Sequence, residues 1–267
     1  MTDHLLVERR DHVALLTLNR PDRMNTISGP MLDALSRALV EADRDQAVRC
    51  IVITGAGRAF CAGLDLQGAS DGNAFGERDD AAPRPRAGEL DPRSTPPTVL
   101  HNVDTPTIAA VNGGAAGYGL DLALGCDIRI AAEGAKLAPA FVKRGILPES
   151  GGTWLLPRIL GYAKAAEIAF VGDTLLAKEC LDLGLVNHVV PDDRCLDAAL
   201  EMANKIAANA PLAVRATKRM FRMAEREDFD DHVNHVFLQL LPLFQSKDFV
   251  EGLTAFLEKR QPDFKGY

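Results

Sequence analysis

Short apolar segments followed by glycine-rich turns constrain the fold of this chain more than any other sequence feature. Residues 50–54 and Thr107–Val111 are almost wholly apolar, as expected of strands buried on both faces of a sheet. Val13–Leu18 has a similar character, and Pro21 follows it where a central strand could not continue. Together with the segment 127–131, these patterns predict four strands of a buried sheet.

Helical patterns alternate with these strands. A helix is predicted from Pro30, because Met31, Leu35, Ala38, Leu39 and Ala42 recur at helical spacing. Alternation of this kind predicts an α/β fold with crossover connections. From about residue 162 onward helices dominate, interrupted by one short strand at 186–190. The predicted helices of this part are 163–171, 177–183, 196–208, 211–226, 231–244 and 248–260.

Composition narrows the class of protein. With 267 residues, 47% of them hydrophobic, the chain can bury a large core. The net charge of −7 opposes non-specific binding to nucleic acid or to an anionic membrane. Five cysteines without a C-x-x-C pair indicate neither disulfides nor zinc, but mostly buried thiols. Without a secretory signal or a membrane-span pattern, a cytoplasmic protein is expected.

Residues 69–98 differ from the rest of the chain. Gly, Asp, Arg and Pro dominate there, and no hydrophobic periodicity is present. The pattern predicts a long loop, which is either a functional lid or a disordered insertion.

Two glycine-rich turns, at 55–63 and 113–119, follow the strands that end at Thr54 and Val111. Each places unpaired backbone N–H groups at the carboxyl end of a strand. Enzymes that build negative charge on an oxygen use such donors, although similar turns bind phosphates in nucleotide proteins. Neither turn contains a usual nucleotide-binding motif or the G-x-S-x-G of serine hydrolases.

The second turn is predicted to open a helix that runs to Leu124. Asp121 then lies on the same helical face as Tyr118. A carboxylate beside oxyanion donors could handle a proton or a water molecule. The alternative is an acid that simply complements the helix dipole in the first turn.

Residues 59–66 (Ala-Phe-Cys-Ala-Gly-Leu-Asp-Leu) and 111–123, with Cys126 and Asp127, resemble the two signature segments of the enoyl-CoA hydratase/isomerase (crotonase) family. The resemblance runs from the strand at Val13 to the segment 251–260. Only residues 69–98 fall clearly outside it.

The resemblance implies an α/β fold, a crotonase-like spiral of ββα units. Residues 1–200 would form this core with an acyl-CoA site, and residues 201–267 a helical region that forms a homotrimer, often a dimer of trimers. The backbone N–H groups of Leu64 and Tyr118 would hold the thioester oxygen, although the second position is commonly glycine in the family. No metal and no cofactor are expected, apart from coenzyme A as part of the substrate.

The same resemblance implies where coenzyme A binds. Lys259 would reach its phosphates, from the same or a neighbouring subunit. Arg84, Arg86 and Arg93 are weaker candidates, because an exposed charged loop explains them better. The positions implied in coenzyme A binding are Arg23, Met24, Ala62, Gly63, Asp65, Leu66 and Lys259.

The acids suggest which reaction follows. Hydratases of the family use two glutamates, of which the first aligns with Asp121 and the second with Phe141. Glu149 stands where several isomerases and a dehalogenase of the family carry their catalytic acid. One principal carboxylate fits a proton shuttle between two allylic carbons. Glu149 is expected to be partly desolvated, with a raised pKa; the alternative is a solvated acid capping a helix that begins near Ser150.

Three functional hypotheses follow. The first is double-bond migration or water addition on an enoyl-CoA. The second keeps the scaffold but changes the chemistry to thioester hydrolysis, retro-Claisen cleavage or decarboxylation. The third is a catalytically silent scaffold that binds acyl-CoA.

Overall fold

The structure is a computed structural model that describes residues 3–65 and 95–267. Two sheets and a set of helices form the fold. The strands are β1 (Leu5–Arg10), β2 (Val13–Leu18), β3 (Cys50–Gly55), β4 (Ala59–Cys61), β5 (Thr107–Val111), β6 (Gly114–Ala116), β7 (Ile128–Ala132), β8 (Lys136–Ala138), β9 (Leu175–Leu176) and β10 (His188–Val190). The helices are α1 (Gly29–Arg44), α2 (Pro96–Asn102), α3 (Tyr118–Gly125), α4 (Gly152–Leu160), α5 (Tyr162–Val171), α6 (Ala177–Leu183), α7 (Cys195–Ala207), α8 (Pro211–Ala224), α9 (Phe229–Phe244) and α10 (Lys247–Glu258).

The two sheets are built by turns of the same chain. The larger sheet has the order β1-β2-β3-β5-β7-β10 and is parallel except for the β1–β2 pair. The smaller sheet has the order β4-β6-β8-β9. β3, β5 and β7 each lie in the larger sheet and are each followed by a short strand of the smaller one. This repetition confirms the predicted α/β spiral of ββα units.

Helix α1 shows how directly the sequence sets local structure. The Ser28 hydroxyl accepts a hydrogen bond from the Met31 N–H and caps the helix, and Pro30 occupies the first turn, where its missing N–H costs nothing. The buried residues of this helix are the five predicted from spacing, namely Met31, Leu35, Ala38, Leu39 and Ala42.

Two predicted boundaries are corrected, and one set of strands was missed. The long loop was expected to reach residue 98, but α2 begins at Pro96, because two prolines fit a first helical turn. Residues 69–94 lie outside the described residues. The strand expected from Val186 begins at His188. The three-residue strands of the smaller sheet escaped prediction because they are too short to show periodicity.

All five cysteines are free and buried. Burial raises the pKa of Cys61 to about 12. Within the described residues, no helix combines the length and the apolar character needed to cross a bilayer.

Helix α8 is attached to the core by charge. Arg215 pairs with Asp43 at 3.1 Å, and Arg222 pairs with Asp104. The division of the chain at residue 200 stays a prediction, and α7 runs across that position.

The segment that ends in β4 packs backbone to backbone against the second glycine-rich turn. A Cβ atom on Gly119 would lie 2.0 Å from the Cys61 carbonyl oxygen, and one on Gly113 would lie 2.1 Å from that of Arg58. Real Cβ atoms do not approach a backbone oxygen so closely. Only glycine therefore allows the two segments to meet.

Replacement of Gly119 tests this contact. Gly119→Ala should lower the free energy of unfolding by more than about 2 kcal/mol, because the backbone must shift to admit the methyl group. Gly114→Ala is the matched control, because a Cβ atom there meets nothing within 4 Å. Urea denaturation of both variants is the measurement, and equal midpoints would contradict the prediction.

Candidate active site

The two glycine-rich turns meet at the carboxyl ends of β4 and β6. A Cβ atom on Gly63 would lie 3.1 Å from the Ala116 carbonyl oxygen and 3.9 Å from the Tyr118 nitrogen. Gly63 itself has a φ of 108°, a conformation that side chains disfavour. The structure thus brings together Leu64 and Tyr118, the two residues predicted to supply backbone donors.

The N–H group of Leu64 is directed by an isolated parallel bridge to Ile27. The Ile27 N–H donates to the Gly63 carbonyl at 2.8 Å, and the Asp65 N–H donates to the Ile27 carbonyl at 3.0 Å. In a parallel pairing this pattern turns the N–H of the residue between them, Leu64, away from Ile27. No acceptor among the described residues pairs with it.

The N–H group of Tyr118 is the first of helix α3. Gly117, with a φ of 54°, is the N-cap residue, and its carbonyl accepts from Leu120 and Asp121. The first N–H groups of a helix have no partner within it and lie at the positive end of its dipole. The N–H groups of Leu64 and Tyr118 are thus both left without an acceptor among the described residues.

Asn25 holds the first turn in place, and sequence reasoning missed it. Its buried side chain donates to the carbonyls of Ala56 at 2.9 Å and Ala59 at 2.7 Å and accepts from the Arg20 N–H at 2.8 Å. Its φ is 56°, and Asn is one of the few residues that tolerate this region. An Asn shortly after a strand-ending Pro was the available signal.

Asn112 ties the first turn to the end of β5 and was also missed. Its side chain accepts from the Gly55 N–H at 3.1 Å and donates to the carbonyls of Gly55 and Gly57, both at 2.9 Å. A polar residue directly after a buried strand and before Gly113 was the signal for it. Because of these bonds, the two turns keep a fixed relation.

Asp121 is fully buried. Its Oδ2 accepts from the N–H groups of Ser150 and Gly152, both at 3.2 Å, while its Oδ1 has no partner among the described residues. Burial raises the pKa of Asp121 to about 7, and the charge of Glu149 adds to this, against the lowering effect of the two N–H donors. The alternative role of Asp121, that of complementing the dipole of α3, would not require its side chain to be buried.

Glu149 lies beside this carboxyl but is exposed, so its expected desolvation is wrong; the desolvated acid is Asp121. The Ser150 hydroxyl donates to Glu149 Oε1 at 3.3 Å. The alternative role in helix capping is also not observed, because α4 has Gly151 as its N-cap and no side-chain cap bond. Glu149 is left as a solvated carboxylate at the edge of the site.

Phe141 supplies an apolar wall. It is buried, and its Cε1 lies 3.9 Å from the position of a Cβ atom on Gly117. An aromatic ring thus stands beside the turn that carries the Tyr118 donor, where it can neither donate nor accept a proton.

The described residues that were predicted to bind coenzyme A lie either at the paired segments near Met24 and Ala62 or, for Lys259, at the end of helix α10. Met24 is exposed, and its carbonyl accepts from the Ala62 N–H at 3.0 Å; with the bonds of Ile27, this aligns residues 24–27 with residues 62–65. The Asp65 carboxylate pairs with Arg20 at 2.8 Å. Lys259 ends helix α10 in the left-handed conformation and bonds to Phe256 of its own helix. Leu66, Arg84, Arg86 and Arg93 lie outside the described residues.

In the described ranges, 3–65 and 95–267, no three His, Cys, Asp or Glu side chains are arranged to hold a metal ion.

Comparison with known proteins identifies the family of this chain. The chain belongs to the enoyl-CoA hydratase/isomerase family, whose description matches residues 8–267. It is accordingly an enzyme of the hydratase/isomerase type with the crotonase fold, as the resemblance predicted.

Particular relatives differ in the reaction they are named for. The chain is 39% identical over 268 aligned positions to 1,2-epoxyphenylacetyl-CoA isomerase of Escherichia coli K12, covering 100% of both chains. It is 37% identical over 262 positions to 2,3-dehydroadipyl-CoA hydratase of the same organism, covering 98% of both. The crystal structure of an enoyl-CoA hydratase from Bacillus anthracis matches with a TM-score of 0.89 and 34% identity, covering 99% of this chain and 100% of that one. Similarity alone therefore does not choose between isomerase and hydratase.

The raised pKa of Asp121 predicts a pH-dependent cost in stability. Unfolded, the carboxyl loses its proton near pH 4, whereas folded it keeps the proton to about pH 7. The folded state binds more protons between these values, so the free energy of unfolding falls as pH rises through this window. Asp121→Asn removes the charge and should be more stable than the wild type by about 1–4 kcal/mol above pH 7, and by little at pH 4.

Urea denaturation at several pH values is the measurement. Asp33→Asn serves as the control, because Asp33 is exposed on α1. The explanation fails if the difference between Asp121→Asn and the wild type is the same at pH 4 and pH 8.

Proposed function

We propose that this enzyme moves a double bond in an enoyl-CoA thioester by carboxylate-mediated proton transfer. The observation that carries the proposal is the meeting of two unpaired backbone donors, from Leu64 and Tyr118, beside the carboxyls of Asp121 and Glu149. By the family resemblance, the apolar Phe141 aligns with the second acid of the hydratases. A site of this kind favours proton transfer at carbon over the handling of water by two buried acids.

In this mechanism the thioester oxygen accepts hydrogen bonds from both backbone N–H groups. Removal of a proton from the allylic carbon places negative charge on that oxygen, and the two donors stabilise the resulting dienolate. Because they are fixed by the fold, they need little reorganisation when the charge develops. Donors of this kind typically contribute a factor of about 100 to 1,000 each to the rate.

Glu149 is proposed as the base. Its carboxylate takes the proton from one allylic carbon and returns it to the other, so that no atom is gained or lost. Binding of an acyl chain over residues 141–149 would exclude water from this carboxylate and strengthen it as a base. Asp121 is proposed as a second proton-carrying group, since with a pKa of about 7 it holds or releases a proton at neutral pH.

Coenzyme A is proposed to lie along Arg23, Met24 and residues 62–66, with Lys259 contributing from the same or a neighbouring subunit. The alignment of Met24 with Ala62 supports a continuous binding edge. The proposed reaction consists of proton transfers, so the substrate's own coenzyme A is the only cofactor that it requires. A cytoplasmic location stays a prediction of the sequence.

Water addition to a 2-enoyl-CoA is the second candidate. Two carboxyls, rather than one, lie near the donors, and the charge of one acts on the other. The relative named as a dehydroadipyl-CoA hydratase is nearly as similar as the isomerase. Hydrolysis, retro-Claisen cleavage and decarboxylation use the same donors and are separated by their products.

Replacement of Glu149 tests the proposed base. Glu149→Gln keeps the shape but removes the proton acceptor, so kcat for conversion of 3-enoyl-CoA to 2-enoyl-CoA should fall at least about 100-fold. The conjugated thioester absorbance is the measurement. Glu133→Gln is the matched control, since Glu133 is exposed after β7 and should leave kcat unchanged.

Two outcomes would contradict the proposal. Full activity of Glu149→Gln would remove Glu149 as the base. A wild type that turns over none of the 3-enoyl-, 2-enoyl-, β-keto- and malonyl-type thioesters would favour the silent scaffold.

We further propose that α9 and α10 form the interface of a homotrimer or a dimer of trimers. Both helices expose large apolar side chains in the single chain, a composition that is typical of a covered surface. The most exposed of them include Phe229, Phe237, Leu238, Leu241, Phe256 and Leu257.

Charge on this surface should prevent assembly. A double variant, Leu238→Glu with Leu241→Glu, should sediment as a monomer near 28.8 kDa, whereas the wild type should sediment at three or six times that mass. Burial of two carboxylates in an apolar interface is too costly to tolerate. Val7→Glu on the exposed strand β1 is the control, and analytical ultracentrifugation is the measurement. A monomeric wild type would refute the trimer.

A further inference from the structure

The side chain of Arg20 joins two segments of the candidate site. Its Nη1 donates to the Thr26 carbonyl at 2.8 Å, and its Nη2 donates to Asp65 Oδ2 at 2.8 Å. Thr26 comes directly before Ile27, and Asp65 comes directly after Leu64. One guanidinium therefore spans the two segments whose pairing directs the Leu64 N–H.

The pairing that Arg20 spans is short. Ile27 and Leu64 form an isolated bridge outside the named strands. It is held by the Ile27 N–H bond to the Gly63 carbonyl and by the Asp65 N–H bond to the Ile27 carbonyl. A bridge of this length lacks the evenly spaced ladder that fixes a strand within a parallel sheet. The direction of the Leu64 N–H thus depends on what else holds the two segments together.

The ion pair of Arg20 and Asp65 is suited to this task. Its side chains are 14% and 26% exposed, so salt screens their attraction less than on an open surface. A planar guanidinium also makes its bonds in fixed directions, which a flexible ammonium does not. Arg20 is itself held in place, because its N–H donates to Asn25 Oδ1 at 2.8 Å and its carbonyl accepts from the Asn25 N–H at 2.9 Å.

We propose that Arg20 is a positioning residue for the Leu64 backbone donor and that Asp65 is its anchor. The inference rests on the proposed acyl-CoA site, in which the Leu64 N–H binds the thioester oxygen. Residues 62–66 still border coenzyme A, but the Asp65 carboxylate holds Arg20 rather than the ligand. A lone carboxylate there would repel the coenzyme A phosphates, whereas one paired with a guanidinium adds no net charge.

The effect of Arg20 on the reaction is expected in the transition state. The thioester oxygen gains negative charge only as the enolate forms, so a displaced donor weakens binding of the charged species more than binding of the substrate. The substrate is also held along its coenzyme A portion and should bind nearly as before. Loosening the ion pair should therefore lower kcat and leave KM almost unchanged.

Arg20→Lys tests this role, because it keeps the charge but loses the two-pronged bonding. For conversion of 3-octenoyl-CoA to 2-octenoyl-CoA, kcat should fall at least about tenfold, with KM within about twofold of the wild type. Asp65→Asn should also lower kcat. The double variant should lose less than the two single losses combined, because both changes break one interaction. Arg37→Lys is the matched control, since Arg37 is exposed on α1.

Infrared difference spectroscopy measures the donor itself. Octanoyl-CoA labelled with carbon-13 at its carbonyl has no double bond to move, and its carbonyl stretch falls in frequency when hydrogen-bond donors bind the oxygen. The shift on binding should be smaller in Arg20→Lys than in the wild type. A merely structural role would lower the Tm of the variant while the shift and kcat stayed at their wild-type values, and that result would overturn the inference.

Other outcomes separate this inference from the function on which it rests. A raised KM with unchanged kcat in Arg20→Lys would mean that Arg20 binds coenzyme A itself, and would overturn the positioning role. If the wild type binds octanoyl-CoA but moves no double bond, the proposed reaction is wrong, while the infrared shift still decides the role of Arg20. Failure of the wild type to bind octanoyl-CoA would refute the acyl-CoA site and the inference with it.

Discussion

The close backbone contact between the segment 58–63 and the turn 113–119 is the constraint on which the site depends. Gly113 and Gly119 leave no room for a side chain against the carbonyls of Arg58 and Cys61. The contact aligns two strand ends whose donors come from separate turns of the spiral. Asn25 and Asn112 then satisfy the polar backbone groups that so tight a junction would otherwise leave unpaired. Packing and hydrogen bonding thus produce the donor pair before any catalytic side chain is considered.

The acids occupy two different environments. Asp121 is held from inside by the N–H groups of Ser150 and Gly152, which links α3 to the start of α4. Glu149, one residue before Ser150, lies in solvent. A buried carboxyl with a pKa near 7 and an exposed carboxyl therefore share a site, and the charge of Glu149 raises the pKa of Asp121. Division of labour between two such carboxyls is a common way to move protons in enzymes.

Much of this could be predicted from the sequence, for identifiable reasons. Strand Thr107–Val111 and helix Ala177–Leu183 were placed with their observed bounds, because apolar runs and helical spacing dominate there. The three-residue strands were missed, since pairing with distant segments decides them. The burial of Asp121 rather than Glu149 was also missed, because it depends on how residues 150–152 fold back on α3. Spacing along the chain carries no information about such a long-range contact.

The proposed oxyanion donors are main-chain atoms, and this has an evolutionary consequence. No side-chain replacement deletes an N–H group, short of proline, so the proposed capacity to stabilise an enolate would survive most mutations at Leu64 and Tyr118. Selection is then free to vary the side chains around these donors. Proteins with such a scaffold could change the reaction they catalyse while the backbone N–H groups still bind the thioester oxygen.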